Sequence, residues 1–304
     1  MDVLTRSNIP SAFWPGVRNI FGMNYREAEQ VCRRIVKVRG STRAEEKSFE
    51  MIGLGLIPEQ KEAEPYKIDK LAEGMHIYAR HVGYGLGVVI SREAIKDNLY
   101  GKYIVSGTRS LLRSTRQTIE IVAHAPLNKA FDTTAEVGDS GVPLLSASHP
   151  SVSDGLQSNV LATPAALSEL ALEMMITQMA IARDQRGLQL NFKPTKLVIH
   201  PENRFRSGRL LMSNQQPNTF SNNVNVIKHD GLIPEVVTTP YLQDQKSFYL
   251  LTDADEPAMV MYEREGYQVS EYTDPRSGAV ETSVYFRISS IANDWHGIYG
   301  AQGA

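Results

Sequence analysis

Two strand-like stretches, Lys47–Ile57 and Leu71–Leu86, flank a polar stretch of twelve residues, PEQKEAEPYKID (58–69), with two prolines and mixed charge. The pattern predicts a long two-stranded hairpin with a polar tip. Such a hairpin has no core of its own and is marginal alone in water. Its edges also leave backbone groups open to pairing. A chain that carries it must cover it, with its own body or with a neighbour.

A long helix is expected next. Ser91 reads as its N-cap, and the pattern runs to about Ala125, stopping at Pro126. Ile104, Leu111, Ile119 and Val122 form the apolar stripe, and Thr108 and Thr115 fill its gaps. Gly101 and Gly107 each weaken the helix by about 1 kcal/mol relative to alanine, so packing must hold it straight. Lys102, Arg109, Arg113 and Arg116 draw a basic line down one side. Such a line is a solvated face, a contact for phosphate, or a contact for a neighbour's carboxylates. The preference of interfaces for arginine favours the last.

The flanking segments are less regular. Residues 1–45 read as an arm, broken by Trp14-Pro15-Gly16 and Gly22, with a basic helix expected from Tyr25 to Val38 carrying Arg33, Arg34 and Lys37, and Arg39 just beyond. Residues 132–160 read as one long turn-rich loop, uncommon in a compact monomer unless it is functional or packed by something else. An α/β unit follows. A helix is expected from Thr163-Pro164 to Gly187, burying Leu167, Leu170, Met174 and Ile181. Then come a strand at Lys196–His200 and a helix at Pro201–Ser213. Further strands are expected at Glu235–Pro240, Phe248–Thr252 and Ala258–Arg264. A terminal hairpin, Tyr267–Tyr272 and Glu281–Ile288, turns at Asp274-Pro275-Arg276-Ser277-Gly278, before the tail Asp294-Trp295-His296-Gly297-Ile298-Tyr299-Gly300.

Composition excludes several classes. At 304 residues the chain can bury a real core. A net charge of −2 gives no global pull toward nucleic acid or an anionic membrane. Its one cysteine, Cys32, excludes an internal disulfide framework. Met1–Pro10 lacks the apolar segment of a signal peptide, and no apolar run approaches the roughly 18 residues of a membrane span, so no membrane partner is expected.

Catalytic signals fail on geometry. Gly138-Asp139-Ser140-Gly141 spells the surroundings of a protease serine, and Val122-Ala123-His124-Ala125 loosely echoes the histidine segment. Yet His124 lies only 16 positions before Ser140 and falls in the expected helix. Turn-forming residues make the stretch a loop. Gly83-Tyr84-Gly85-Leu86-Gly87 has its third glycine one place early for a dinucleotide loop and reads as a strand-to-helix bend. Asp253-Ala254-Asp255 begins like a calcium loop but continues Glu256-Pro257. No catalytic, cofactor-binding or metal-binding residue is assigned, and no cofactor is expected.

The succession of basic arm, long hairpin, long helix, α/β unit, terminal hairpin and short tail resembles the major capsid protein of tailed bacteriophages. The wording agrees over Ser41 to Ala304. Glu45-Glu46, Gly53-Leu54-Gly55, Pro58, Lys61, Glu64 and Glu73-Gly74 look like the extended loop of that family. Tyr84-Gly85-Leu86-Gly87, Ile90-Ser91-Arg92-Glu93 and Asp97-Asn98-Leu99-Tyr100 look like the start of its spine helix, and Leu127-Asn128-Lys129-Ala130-Phe131 like its end. Leu144, His149-Pro150, Ser158-Asn159, Ala166-Leu167-Ser168, Pro194 through Pro201, and Leu210-Leu211-Met212-Ser213 continue the match. In the tail, DWHGIYG has His296 where the family often has arginine.

The resemblance implies an α+β phage major-capsid fold. Its parts would be an N-terminal arm (1–46), an extended β-hairpin loop (47–86), a peripheral domain with the spine helix (87–160), an axial domain (161–264), a peripheral-domain hairpin (265–291) and a C-terminal tail (292–304). It implies self-assembly into hexameric and pentameric capsomers and an icosahedral head around double-stranded DNA, held non-specifically, within a virion put together in the host cytoplasm. Portal, scaffold and decoration proteins are further candidate partners. The extended loop would lie across a neighbouring subunit, and Ser140 would be inert. Expected assembly contacts are Glu59, Lys61, Glu64, Lys67 and Lys70 of the loop, Arg33, Arg34 and Arg39 of the arm, and Arg109, Arg113 and Arg116 of the helix. The alternatives are a nanocompartment shell of the same fold, or a serine hydrolase using Ser140.

Overall fold

The computed structural model describes residues 30–62, 65–93, 100–135, 137–152, 155–215 and 224–303, with side chains of the long helix described from residue 107. The side chains of Lys102 and Ile104 therefore lie outside the description, and Glu64 and residues 25–29 of the expected arm helix lie outside the described residues.

Twelve strands are described, in four sheets. The long sheet has the order β1-β10-β11-β4, from β1 (Lys37–Gly40), β10 (Met259–Thr273), β11 (Val280–Ala292) and β4 (Val82–Ile90). β1 runs parallel to β10; the other pairs are antiparallel. The short sheet has the order β12-β9-β7-β8, from β12 (Ile298–Ala301), β9 (Phe248–Thr252), β7 (Pro194–Ile199) and β8 (Glu235–Thr238). β2 (Glu45–Ile52) pairs with β3 (Ala72–Arg80) as a separate two-stranded hairpin. β5 (His149–Ser151) and β6 (Gly155–Gln157) form a small hairpin inside the 132–160 loop.

Of the expected arm helix only α1 (Cys32–Ile35) forms among the described residues, and β1 follows at once. Val36 is already extended, because β10 offers Lys37–Gly40 an edge to pair with. The expected strand Leu71–Leu86 is two strands broken at His81, one in each sheet, and Gly83–Gly87 continues β4 rather than bending into a helix. The glycines let β4 lie under the Tyr285 ring: a Cβ at Gly83 would meet the Tyr285 hydroxyl at 2.7 Å. The expected strands Ala258–Arg264 and Tyr267–Tyr272 are one strand, β10, bent by register shifts between Glu263 and Gln268.

The long helix, α2 (Tyr100–Asn128), is described over 29 residues, about 43 Å at 1.5 Å per residue. Leu111, Leu112, Thr115, Ile119, Ala123 and Leu127 are buried at three- and four-residue spacing, on one face. The helix passes through Pro126 instead of stopping there. Proline cannot donate to the Val122 carbonyl four residues back, so one helix bond is lost there, but two side-chain bonds hold the last turn. Asn128 Nδ2 donates to the Tyr241 carbonyl (3.0 Å), and its Oδ1 accepts from the Gln243 amide (2.9 Å).

The short sheet divides the core by strand alternation. Val198, Tyr249, Leu251 and Ile298 face α2 and join Val284, Phe286 and Ile288 of the long sheet. Leu197, Ile199, Phe248, Leu250, Tyr299 and Ala301 face the other way, under helix α3 (Glu169–Ala180). α3 starts at Ser168, whose hydroxyl accepts from the Ala171 amide, five residues after the expected start. Its buried side chains are Ala171, Leu172, Met175 and Met179; of the expected stripe only Leu167 is buried, while Leu170, Met174 and Ile181 face outward. A short 3-10 turn, Pro201–Asn203, leads into α4 (Arg204–Met212), and α5 (Val226–His229) precedes β8.

Candidate functional site

The hairpin β2–β3 leaves the body as an uncovered arm. Leu54, Leu56, Ile57 and Leu71 flank its polar tip, Tyr66 and Ile68 lie within it, and Ile57 and Ile68 are 95% and 89% exposed. Glu59, Lys61, Lys67 and Lys70 are exposed along the same segment. Among the described residues nothing covers these side chains, and an apolar patch bared this far is of the kind that serves as a contact surface.

Three polar clasps position the arm, and none is read as a clasp from the sequence. At its middle, the turn after α3 grips it: Gln185 Nε2 donates to Glu50 Oε1 (3.0 Å) and Arg186 Nη2 donates to the Lys70 carbonyl (3.0 Å). Asp69 lies 3.6 Å from Arg186 and accepts the Gly55 and Lys70 amides. Those amide bonds, Gly55 first, hold its carboxyl below the usual range. At its base, buried His81 bridges Ser41 Oγ (2.9 Å) and Ser289 Oγ (3.1 Å). Burial, then the charge of Arg264, lowers the His81 pKa, so the ring stays neutral near pH 7. The third clasp is GDSGVP. The Asp139 amide donates to the His76 carbonyl (3.1 Å), and Asp139 Oδ1 accepts the His76 amide (2.7 Å). Gly138 has φ +60°, and a Cβ there would collide with the His76 carbonyl oxygen, so this close approach requires glycine.

That geometry disposes of a serine nucleophile. The Ser140 hydroxyl is bonded to the Val142 backbone within its own turn (3.2 Å). His124 is occupied elsewhere: Nδ1 donates to the Glu120 carbonyl (2.7 Å), leaving Nε2 to accept from Thr239 Oγ1 (3.0 Å).

The helix arginines converge. Arg109, Arg113 and Arg116 line one open groove with Leu112, Gln117 and Tyr241. Arg109 and Arg113 are exposed, and Arg116 is half-buried. The arm arginines are used within the chain. Arg34 pairs with Glu235 (2.7 Å), which Lys196 also approaches (3.4 Å), and Lys196 Nζ donates to the Arg34 carbonyl (2.6 Å). Burial opposes ionisation of Glu235, but the Arg34 hydrogen bond and the Lys196 charge outweigh it and hold its carboxyl low. Arg39, in β1, pairs with Glu256 (3.2 Å), and Arg33 Nε donates to Gln30 Oε1 (2.8 Å). Beneath them the Glu120 carboxylate accepts the Cys32 amide (3.0 Å), pinning α1 to α2; burial pushes the Glu120 carboxyl up and the Cys32 thiol up to about 12.

A long helix crossed by two sheets, with an outstretched hairpin tied at three points and, among the described residues, no enclosed reaction centre, fits a shell subunit of the phage-capsid class. The chain belongs to the phage capsid protein family, whose model, described as "Phage capsid protein", matches residues 77–301. It is a structural protein of the virion, not an enzyme. The fold is similar to that in a structure of Mycobacterium phage Patience, at 10% identity and TM-score 0.61, covering 96% of this chain and 88% of that one. It is also similar to the procapsid of bacteriophage JBD30, at 13% identity and TM-score 0.56, covering 99% and 77%. A virus-like particle from Pyrococcus furiosus matches at 12% identity and TM-score 0.52, covering 95% and 99%. A search of curated proteins found no match.

Proposed function

We propose that this chain is the major capsid subunit of a phage head. Copies associate into capsomers, and capsomers close into an icosahedral shell around double-stranded DNA. The observation that carries this is the uncovered hairpin on a chain of the phage capsid family: its apolar flanks need a surface that one subunit does not provide. In this reading 161–264 is the axial domain, 87–160 and 265–291 are the peripheral domain, and 47–86 is the extended loop. Residues 1–46 are the arm and 292–304 the tail.

The loop residues Glu59, Lys61, Glu64, Lys67 and Lys70 meet the neighbour. The ridge Arg109, Arg113 and Arg116 grips its carboxylates, and Arg33, Arg34 and Arg39 set the arm. Exposure of Arg109 and Arg113 over an open groove supports the ridge as a contact. DNA is held by confinement, with few phosphate contacts, in keeping with the −2 net charge. Portal, scaffold and decoration proteins complete the list of partners. The phage capsid family match supports this reading over a nanocompartment shell. Electron microscopy of the purified chain is the test. Closed icosahedral particles are expected; a chain that stays monomeric at every concentration and salt would overturn the proposal.

A further inference from the structure

Helices α3 and α4 each carry an outward face that the fold leaves uncovered. On α3, Leu170, Met174 and Ile181 are 65%, 48% and 64% exposed and form one stripe. The sequence of α3, ELALEMMITQMA, holds two glutamates and no basic residue. On α4, RFRSGRLLM, Phe205 and Met212 are 77% and 73% exposed, with Arg209 between them on the same stripe. α4 holds three arginines and no acid. Among the described residues, none of Arg204, Arg206 and Arg209 forms an ion pair, and neither does Glu173.

The two faces lie at opposite edges of the short sheet. α3 packs against β12, the first strand in the order β12-β9-β7-β8. α4 lies beside β8, the last, where Leu211 and Met212 share a groove with Val236 and Thr238. We infer that the α3 face of one subunit docks on the α4 face of a second copy. The faces match in kind: an apolar stripe bordered by glutamate meets an apolar stripe bordered by arginine. Because they differ and lie at opposite edges, the contact is head-to-tail and repeats around a ring. Phe205 and Met212 between the arginines suit a protein surface rather than a phosphate backbone. This inference rests on the capsid reading and names the surfaces that would close a capsomer around its axis.

The test uses the full chain, scored by sedimentation and electron microscopy. Glu173→Arg, and separately Arg206→Glu with Arg209→Glu, should each lower the yield of closed particles at least about tenfold. All three changes together should restore it to within about threefold of the wild type. Circular dichroism of the soluble subunits should not change, because these side chains are exposed. A second measurement oxidises a Leu170→Cys, Phe205→Cys variant. Disulfide-linked oligomers in a ladder are expected, since the two positions lie at opposite edges of one subunit. Full particle yield from both reversed variants, or DNA content alone falling on arginine reversal, would overturn the pairing while leaving the capsid reading intact. Reversals that are not rescued, with only monomers after oxidation, would overturn it as well. A wild-type chain that forms no particles would sink the capsid reading, and the ladder on soluble chain would still decide the pairing.

Discussion

The short sheet and the extended hairpin are both built from antiparallel pairing, yet they solve opposite problems. In β9 four consecutive side chains are buried, because the sheet has α2 on one face and α3 on the other. In β2 burial only alternates between partial and none until Ile52. The sheet completes its core within one chain. The hairpin borrows its geometry through side-chain clasps and leaves its apolar flanks bare. In the capsid reading proposed above, self-sufficient folding and assembly fall to different segments, and substitutions in one should spare the other.

The largest loss of subunit stability is expected at Asn159, which is fully buried. Its Nδ2 donates to the carbonyls of Leu144, Trp295 and Ile298, and its Oδ1 accepts from Ser146 and His149. Asn159→Ala strands several buried polar groups at once and should cost about 3–4 kcal/mol in denaturant unfolding. Next comes His149, stacked flat on Trp295 at 4.2 Å between centroids. Burial pushes its pKa down to about 4, against a hydrogen bond to Asn159 that favours the charged form. A histidine with a depressed folded pKa contributes stability above its unfolded value near 6.5 and loses it as the pH falls. About 3 kcal/mol should disappear between pH 6.5 and 4. His149→Gln should flatten that part of the profile; an unchanged acid slope would assign it elsewhere.

The hairpin should respond differently. Arg186→Ala removes a partly exposed clasp, so unfolding of the body should change by less than about 1 kcal/mol. Proteolysis within 53–71 should quicken several-fold, and equal protection would mean the clasp does not position the arm. Deleting Glu59–Lys70 and joining the ends with a short turn removes Asp69 and Lys70 and so the same clasp, and should likewise alter subunit stability by less than about 1 kcal/mol. The same variant should form no closed particles; normal particles would show that the loop is not an assembly arm.

Sequence reading succeeded where chemistry varies sharply along the chain. Phe248–Thr252 was expected at its observed bounds, because an uninterrupted apolar run reads as a doubly covered strand. The Asp274–Gly278 turn was legible from its turn residues, and Gly278 has φ +69°. The covered face of α3 was not legible. Glu169, Glu173 and Thr177 make a narrow polar row, but apolar residues lie on both sides of it, so Leu170 and Met174 on one side compete with Leu172, Met175 and Met179 on the other for the covered face, and the exposed stripe passed for the buried one. The break at His81 was hidden because both flanking stretches favour strand; only the polar cage of Ser41 and Ser289 turns one into two. Among the proposed assembly residues, the convergence of Arg109, Arg113 and Arg116 followed from helical spacing. The tie between Arg34 and Glu235 joins residues 201 positions apart, which no local pattern reveals.

The parallel pairing of β1 with β10 bears on biosynthesis. Lys37 meets Val260, roughly 220 positions later, so the first strand of the long sheet waits for nearly the last. At about 5–20 residues per second, roughly 10–45 s of translation separate the two. For most of that interval the hairpin has been made, but the sheet edge and the arm that flank it have no partner. A nascent chain can therefore offer a sticky loop but not a finished subunit surface for another loop to land on. On a crowded polysome, the order of synthesis itself would delay shell formation until subunits are released.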